Sequence, residues 1–394
     1  MLPLCRTPIW GRAGRDERND TMKRILLLLL AAILLLSLPS CSLFGGAGTT
    51  APSPSGDPSG QSASSTLSPA PELSGSDSGT ASAPSLPSIL DLPEDARYTV
   101  PVMQVGDFQV TYGLYRYFYR LLADSMAGKD TDYFKKNPEK LEELAEKARE
   151  QCKIVAAYYE MAKKEGLTLP DEQTADKAFT EYVTTYEPMY PVYYGMTMAE
   201  YLEKNYTTLS TYKTMFVVSE YLTEQIYTFL SDEKNGKLDL SDEALDKALE
   251  DYRCVKHILV GHDDGLKDEE ALALATDLAK RLREGADIDA LMKEYSNDYQ
   301  ENGQNAYTFT YGEMVSEFEE AAFNMEVGQV TDPVKSTYGY HVIVRLEIDK
   351  EAFKKDKFKD IAVNEAFFGF AEKQSVTELA AFATECSHEK IMAD

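Results

Sequence analysis

The most continuous apolar run in the chain is residues 25–36, twelve positions drawn only from Ile, Leu and Ala. As a helix it is about 18 Å long against about 30 Å of bilayer hydrocarbon, too short to span comfortably. Lys23 and Arg24 precede it, and a charged start with an apolar middle is the grammar of a secretory signal. A core helix apolar on every side would find nothing to bury against here. From Ser42 to about Asp95 the sequence is mainly Ser, Gly, Pro, Ala and Thr, with no Lys or Arg before Arg97. That composition cannot build a core and predicts a disordered tether, roughly fifty residues with an r.m.s. reach on the order of 40 Å.

Helical periodicity dominates from Tyr98 to about Glu250. Asn137-Pro138 predicts an N-cap and N1 proline before a long charged helix running to about Lys164. Thr197 and Glu200 have capping-box spacing, and Ser241-Asp242-Glu243-Ala244 starts another helix. Met215, Val218, Tyr221 and Leu222 fall at helical spacing, as do Ile226 and Leu230. Residues 98–252 hold 19 of the 25 tyrosines. Aromatic and Met side chains suit adaptable contacts with unfolded chains, but most of these are expected as ordinary core and half-buried helix faces.

Around Cys254 the pattern becomes that of a compact α+β unit. Residues 255–260 read as a strand. The next helix has Asp268, Glu269 and Glu270 in its first turn and Lys280, Arg281 and Arg283 in its last, with Leu274, Leu278 and Leu282 as an apolar stripe and Gly285 as its stop. Asp287 caps a helix carrying Ile288, Leu291, Met292 and Tyr295. Ser316 and Glu319 have capping-box spacing, and residues 340–346 form a closing strand. Helices and strands mixed over about 100 residues imply one small α+β domain. Beyond Asp349 the pattern is helical again, with Phe358, Ile361, Val363, Phe367 and Phe368. An apolar helix standing alone would be insoluble, so it is expected to fold back on the first helical region and make that domain discontinuous.

Composition narrows the function classes. Over 394 residues, 40 Lys+Arg against 66 Asp+Glu leave a net charge of −26. A nucleic-acid binder must put positive charge on phosphates, so the balance argues against that class. Five scattered Cys, none in C-x-x-C spacing, argue against a zinc ribbon, a thioredoxin-type site or a disulfide scaffold. Cys152, Cys254 and Cys386 are expected as buried thiols. Residues 231–242 superficially suggest a calcium loop, but Ser231 and Asp242 occupy its first and last ligand positions, where Asp and a bidentate Glu are needed. Residues 261–265 lie where a strand-to-helix turn calls for Asp and Gly. No metal and no cofactor is expected.

Two resemblances carry the functional reading. Leu38-Pro39-Ser40-Cys41 resembles a bacterial lipobox, which makes Cys41 the lipidated first residue of a membrane-anchored chain. Residues 255–260 with His257, Tyr295-Ser296-Asn297-Asp298, Tyr311-Gly312-Glu313-Met314, Phe318 to Phe323, Gly328-Gln329-Val330, Asp332-Pro333-Val334 and Tyr338-Gly339-Tyr340-His341 follow in order. They resemble a parvulin-type peptidyl-prolyl isomerase. With the tether and flanking helices, the layout resembles extracytoplasmic foldase lipoproteins of the PrsA type and the helical lobes of SurA.

The resemblance implies an α+β chain in which a discontinuous, chaperone-like helical domain carries an inserted parvulin-type domain. Its boundaries follow: 1–21 an upstream extension, with translation starting at Met22; 22–40 a signal peptide; 41–96 the lipidated tether; 97–250 helical; 251–349 parvulin-like; 350–394 a segment returning to the helical domain. It implies His257, Asp298 and His341 as the catalytic cluster, and Met314, Phe318, Ala306, Ser336 and Tyr338 as the proline pocket. A direct chemical role for the histidines, and one limited to holding the site's shape by sharing a proton, both remain open. The family's usual Gly-Gly-Asp-Leu-Gly loop reads Gly303-Gln304-Asn305-Ala306-Tyr307 here. The implied function is a membrane-anchored isomerase and foldase for unfolded exported polypeptides, on the outer face of the cell membrane. A non-catalytic holdase using the helical lobes is the alternative. A solute-binding lipoprotein would need two similar α/β lobes, which the pattern lacks.

Overall fold

The computed structural model describes residues 88–261, 266–301, 303 and 305–394. The expected signal, the lipid anchor at Cys41 and most of the tether lie outside the described residues.

The first described strands were not expected. Pro101–Val105 (β1) and Phe108–Thr111 (β2) form an antiparallel hairpin in a region whose sequence reads as helical. Gly106 makes the turn at φ +58°, and the Glu160 carboxylate accepts the Asp107 and Phe108 N–H groups at 2.8 and 3.0 Å. Val102, Met103 and Val105 are fully buried, and a Gly-Asp pair between short apolar runs is a hairpin signal. The third strand of this sheet, Val376–Glu378, pairs with β1 from the far end of the chain.

Helices Tyr112–Ala127 and Lys140–Glu165 pack on that sheet, and helices Glu172–Tyr186, Leu209–Val217 and Thr223–Ser231 share its buried core. The long helix starts at Lys140, later than its sequence signal. Asn137 instead closes the preceding turn, its Nδ2 donating to the Tyr133 carbonyl at 2.8 Å. Thr197 does form the capping box with Glu200. Val363, Phe367, Phe368 and Ala371 of helix Lys359–Glu372, with Cys386 and Ile391, are buried in the same core as Leu114, Val155 and Leu222. The helical domain is therefore discontinuous, as expected.

The inserted unit is a four-stranded antiparallel sheet, ordered Ala306–Phe309 (β4), Arg253–Gly261 (β3), Gly339–Leu346 (β6), Val334–Lys335 (β5). Side chains alternate between faces along each strand. Ile258, Val260, Tyr340 and Val342 bury one face against helices Asp268–Arg283 and Ile288–Tyr295. Val255, Phe309 and Ile343 bury the other against Phe318 and Ala322 of helix Ser316–Phe323. At the junction with the helical domain, Leu245 and Ala248 of helix Asp242–Glu250 pack on Phe353 and Phe358 of the returning strand of chain. Both crossings between the units are thus clasped together.

Candidate active site

The site lies on the sheet face that carries Val255 and Ile343. In the β3–β6 ladder His257 opposes Ile343 and Leu259 opposes His341, so the two histidines are diagonal neighbours on one face. Their Nδ1 atoms lie 3.2 Å apart. Gly339 lets β6 begin this close to β3: at φ +140° a side-chain Cβ there would stand 2.2 Å from the Val260 carbonyl oxygen.

Asp298 is delivered by a turn docked on the free edge of β3. Ser296 Oγ accepts the Leu259 N–H at 3.0 Å, the Leu259 carbonyl accepts the Asn297 N–H at 2.9 Å, and Asn297 Oδ1 accepts the Gly261 N–H at 2.6 Å. This brings Asp298 Oδ2 to 3.0 Å from His257 Nε2. At the opposite end, Ser336 Oγ is 2.7 Å from His341 Nε2 and accepts the Tyr338 N–H at 3.1 Å. Asp298, His257, His341 and Ser336 form one continuous hydrogen-bonded chain.

Its electrostatics follow from burial and neighbours. His341 is buried, and desolvation, aided by the nearby His257 and opposed by Asp298, pushes its pKa down to about 4. The His257 hydrogen bond, against partial burial and with further help from Tyr307, holds Asp298 below the usual carboxylate range. Asp298 stays ionised, anchoring one end of the chain. A single proton between the two Nδ1 atoms satisfies both rings; a proton on each would set two donors face to face.

Phe318 meets both imidazoles edge-on, with centroids 5.0 Å from His257 and 5.2 Å from His341. Half-buried Met314 packs in the same cluster with Phe309 and Phe318. Met314 sits on a turn held by Glu319, whose carboxylate accepts the Gly312 N–H at 2.6 Å and is hydrogen-bonded by the Met314 and Glu313 backbone as well. Glu319 therefore shapes the turn and does not cap its own helix; Val315 is the N-cap residue, without a side-chain cap.

Of the residues expected from sequence, His257, Asp298, His341, Ser336 and Phe318 come together through the contacts above, with Met314 beside Phe318. Tyr338 contributes its backbone N–H, and its ring is 61 % exposed. Ala306 is half-buried and opposes Lys256, which reaches Asp289 on the other face of the sheet at 2.6 Å. Tyr307 was missed. It opposes Val255, on the site's face; its hydroxyl donates to Asp298 Oδ2 at 2.8 Å and its ring centroid is 5.5 Å from that of His257. Only the β3–β4 register finds it, since a residue paired with Val255 shares a face with His257.

A buried aromatic and thioether floor beside a polar chain ending in one carboxylate can grip a small apolar ring and orient a polar amide next to it. It offers no metal-ligand set among the described residues.

Residues 257–347 match the PPIC-type PPIase domain family (rotamase). Foldase protein PrsA 3 of Bacillus cereus is 36 % identical over 141 residues, which is 35 % of this chain and 46 % of that protein. Foldase protein PrsA of Oceanobacillus iheyensis is 32 % identical over 166 residues, 40 % of this chain and 52 % of that protein. The chain thus spans about half the length of these relatives. The crystal structure of PrsA from Bacillus subtilis aligns over 60 % of this chain and 87 % of its own, with 21 % identity and a TM-score of 0.24. Residues 257–347, which hold the whole polar chain and the apolar floor beside it, are thus similar to a PPIC-type PPIase domain.

Proposed function

We propose that the chain is a peptidyl-prolyl cis-trans isomerase and foldase for exported polypeptides, acting through the site around His257 and His341. The observation that carries this reading is the joined Asp298–His257–His341–Ser336 chain beside Phe318 and Met314, within the segment that matches the PPIC-type family. Rotating an X-Pro amide crosses a barrier of about 18–20 kcal/mol without breaking a bond. The work is therefore selective binding of the twisted amide: the apolar floor holds the proline ring, and the polar chain faces the carbonyl dipole as conjugation is lost. His257, Asp298 and His341 form the polar side of the site. Met314 and Phe318, with Ser336 and Tyr338 at its margins, form the pocket; Ala306, paired with Lys256, lies on the other face of the sheet and is not part of it.

The domain division is proposed as 97–250 and 350–394 for the helical domain and 251–349 for the isomerase, supported by their separate buried clusters. The body is proposed to act outside the cytoplasm on a lipid anchor at Cys41, with unfolded or partly folded exported chains as clients; the charged start and apolar run before Cys41 support this.

An isomerase assay on X-Pro peptides tests the reading. Wild-type full chain should accelerate exchange, and Met314→Ala should lose most of that acceleration while keeping its fold. No acceleration by wild type would leave the holdase reading. That second reading has one specific support: Met189, Val192, Tyr193 and Tyr194 stand exposed together on the helical domain, Val192 at 81 % and Tyr193 at 71 %. In that case suppression of client aggregation should persist without isomerase activity.

A further inference from the structure

Tyr307 carries an inference that rests on the isomerase reading and sharpens it. Asp298 Oδ2 receives two donors, the His257 ring nitrogen at 3.0 Å and the Tyr307 hydroxyl at 2.8 Å. The Asp298 side chain is 41 % exposed, so without a second tether its carboxylate is free to turn towards water. The tether comes from a different element than the turn that bears Asp298, nine residues further along the chain. Tyr307 is fixed in β4, where it opposes Val255, and its ring lies beside His257 at 58°. One side chain thus braces both members of the Asp298–His257 pair, its hydroxyl on the acid and its ring against the imidazole.

We propose that Tyr307 is the positioning residue that sets the protonation pattern of the histidine pair. A carboxylate pinned against His257 Nε2 keeps a proton on that nitrogen. His257 Nδ1 is then left to share one proton with His341 Nδ1, 3.2 Å away, and His341 Nε2 meets Ser336 Oγ. Tyr307 acts at the far end of a four-step line, through Asp298, and touches no substrate.

The groups facing this line are few. Tyr307 and Phe318 flank His257, Phe318 also flanks His341, and Asp298 is the carboxylate that hydrogen-bonds the pair.

The test compares full-length wild type with Tyr307→Phe, which removes one oxygen and keeps the ring. Ring-nitrogen NMR shifts of 15N-histidine-labelled protein report the tautomers, and the pH dependence of kcat/KM is measured on an X-Pro peptide. In wild type, the His257 nitrogen shifts should report the proton on Nε2. In Tyr307→Phe the His257 nitrogen shifts should move towards a mixture of tautomers, and the acid limb of the pH profile should move. kcat should fall roughly tenfold, as for loss of a hydrogen bond to a charged group, with KM little changed. Asp298→Asn should displace the same nitrogen shifts further. Unchanged nitrogen shifts and an unchanged pH profile in Tyr307→Phe overturn the proposal. If wild type has no isomerase activity, the isomerase reading fails, and the nitrogen shifts still decide the role of Tyr307.

Discussion

His257 and His341 meet Nδ1 to Nδ1 at 3.2 Å on neighbouring central strands, so the pair can hold one proton between them and resists a second. Burial, together with His257, lowers the His341 pKa to about 4, whereas an unfolded histidine titrates near 6.5. Between these values the unfolded chain binds more protons than the folded one, so stability falls as pH falls. The parvulin-type domain should lose stability from about pH 6.5 downward, by something on the order of 3 kcal/mol once pH 4 is reached. Asp298, also held low, adds a further loss in the same direction at lower pH. Denaturant midpoints across pH 4–7 check this, and His341→Phe should flatten the dependence.

Glu319 ties the Met314 turn through the Gly312 N–H at 2.6 Å. Glu319→Ala frees those backbone donors and loosens the turn, so KM for X-Pro peptides should rise several-fold with kcat less affected. Burial raises the Glu319 pKa above its ordinary value, so Glu319→Gln, which resembles the protonated acid, should fall between Ala and wild type. Steady-state kinetics on the three proteins check the order.

Phe318 and Met314 separate stability from binding. Phe318 is 3 % exposed in a cluster with Val255, Phe309 and Ile343. Phe318→Ala should cost about 3–5 kcal/mol as a buried aromatic truncation. Half-buried Met314 should cost well under that, roughly 1–2 kcal/mol, so isomerase loss is to be read from Met314→Ala. Chemical denaturation of both variants checks the contrast.

Phe367 tests the discontinuous domain. It is buried with Phe368 in the helical core, its ring 4.3 Å from Tyr158 of the long helix. Phe367→Ala should lower the stability of the helical domain by about 3 kcal/mol. Hydrogen exchange should then quicken in helix Lys140–Glu165 while β3 and β6 stay protected.

The inserted domain was legible in the sequence because its cues are local. Asp268 to Glu270 against Lys280 to Arg283 mark the ends of one helix, Asp287 caps the next, and β3 is a mostly buried apolar run. His257, Asp298 and His341 could be named from motif order, while Tyr307 needed the β3–β4 register, which no local pattern states. Ser316 and Glu319 had the spacing of a capping box, yet backbone donors of the preceding turn claim the Glu319 carboxylate. Asn137-Pro138 failed similarly, since the preceding turn takes the Asn137 amide. The β1–β2 hairpin was hidden by its third strand, which comes from residues 376–378.

That closing strand and the helices after it give the molecule an order of assembly. Arg97 pairs with Asp394 across 297 positions of sequence, and Val376–Glu378 completes a sheet begun at Pro101. A chain emerging from its amino end presents β1 and β2 long before their partner arrives. The whole of residues 253–346, whose strands pair only among themselves, emerges in between. The inserted unit can thus be finished while the body that carries it is still open, and residues 376–391 close a sheet and core begun near residue 101.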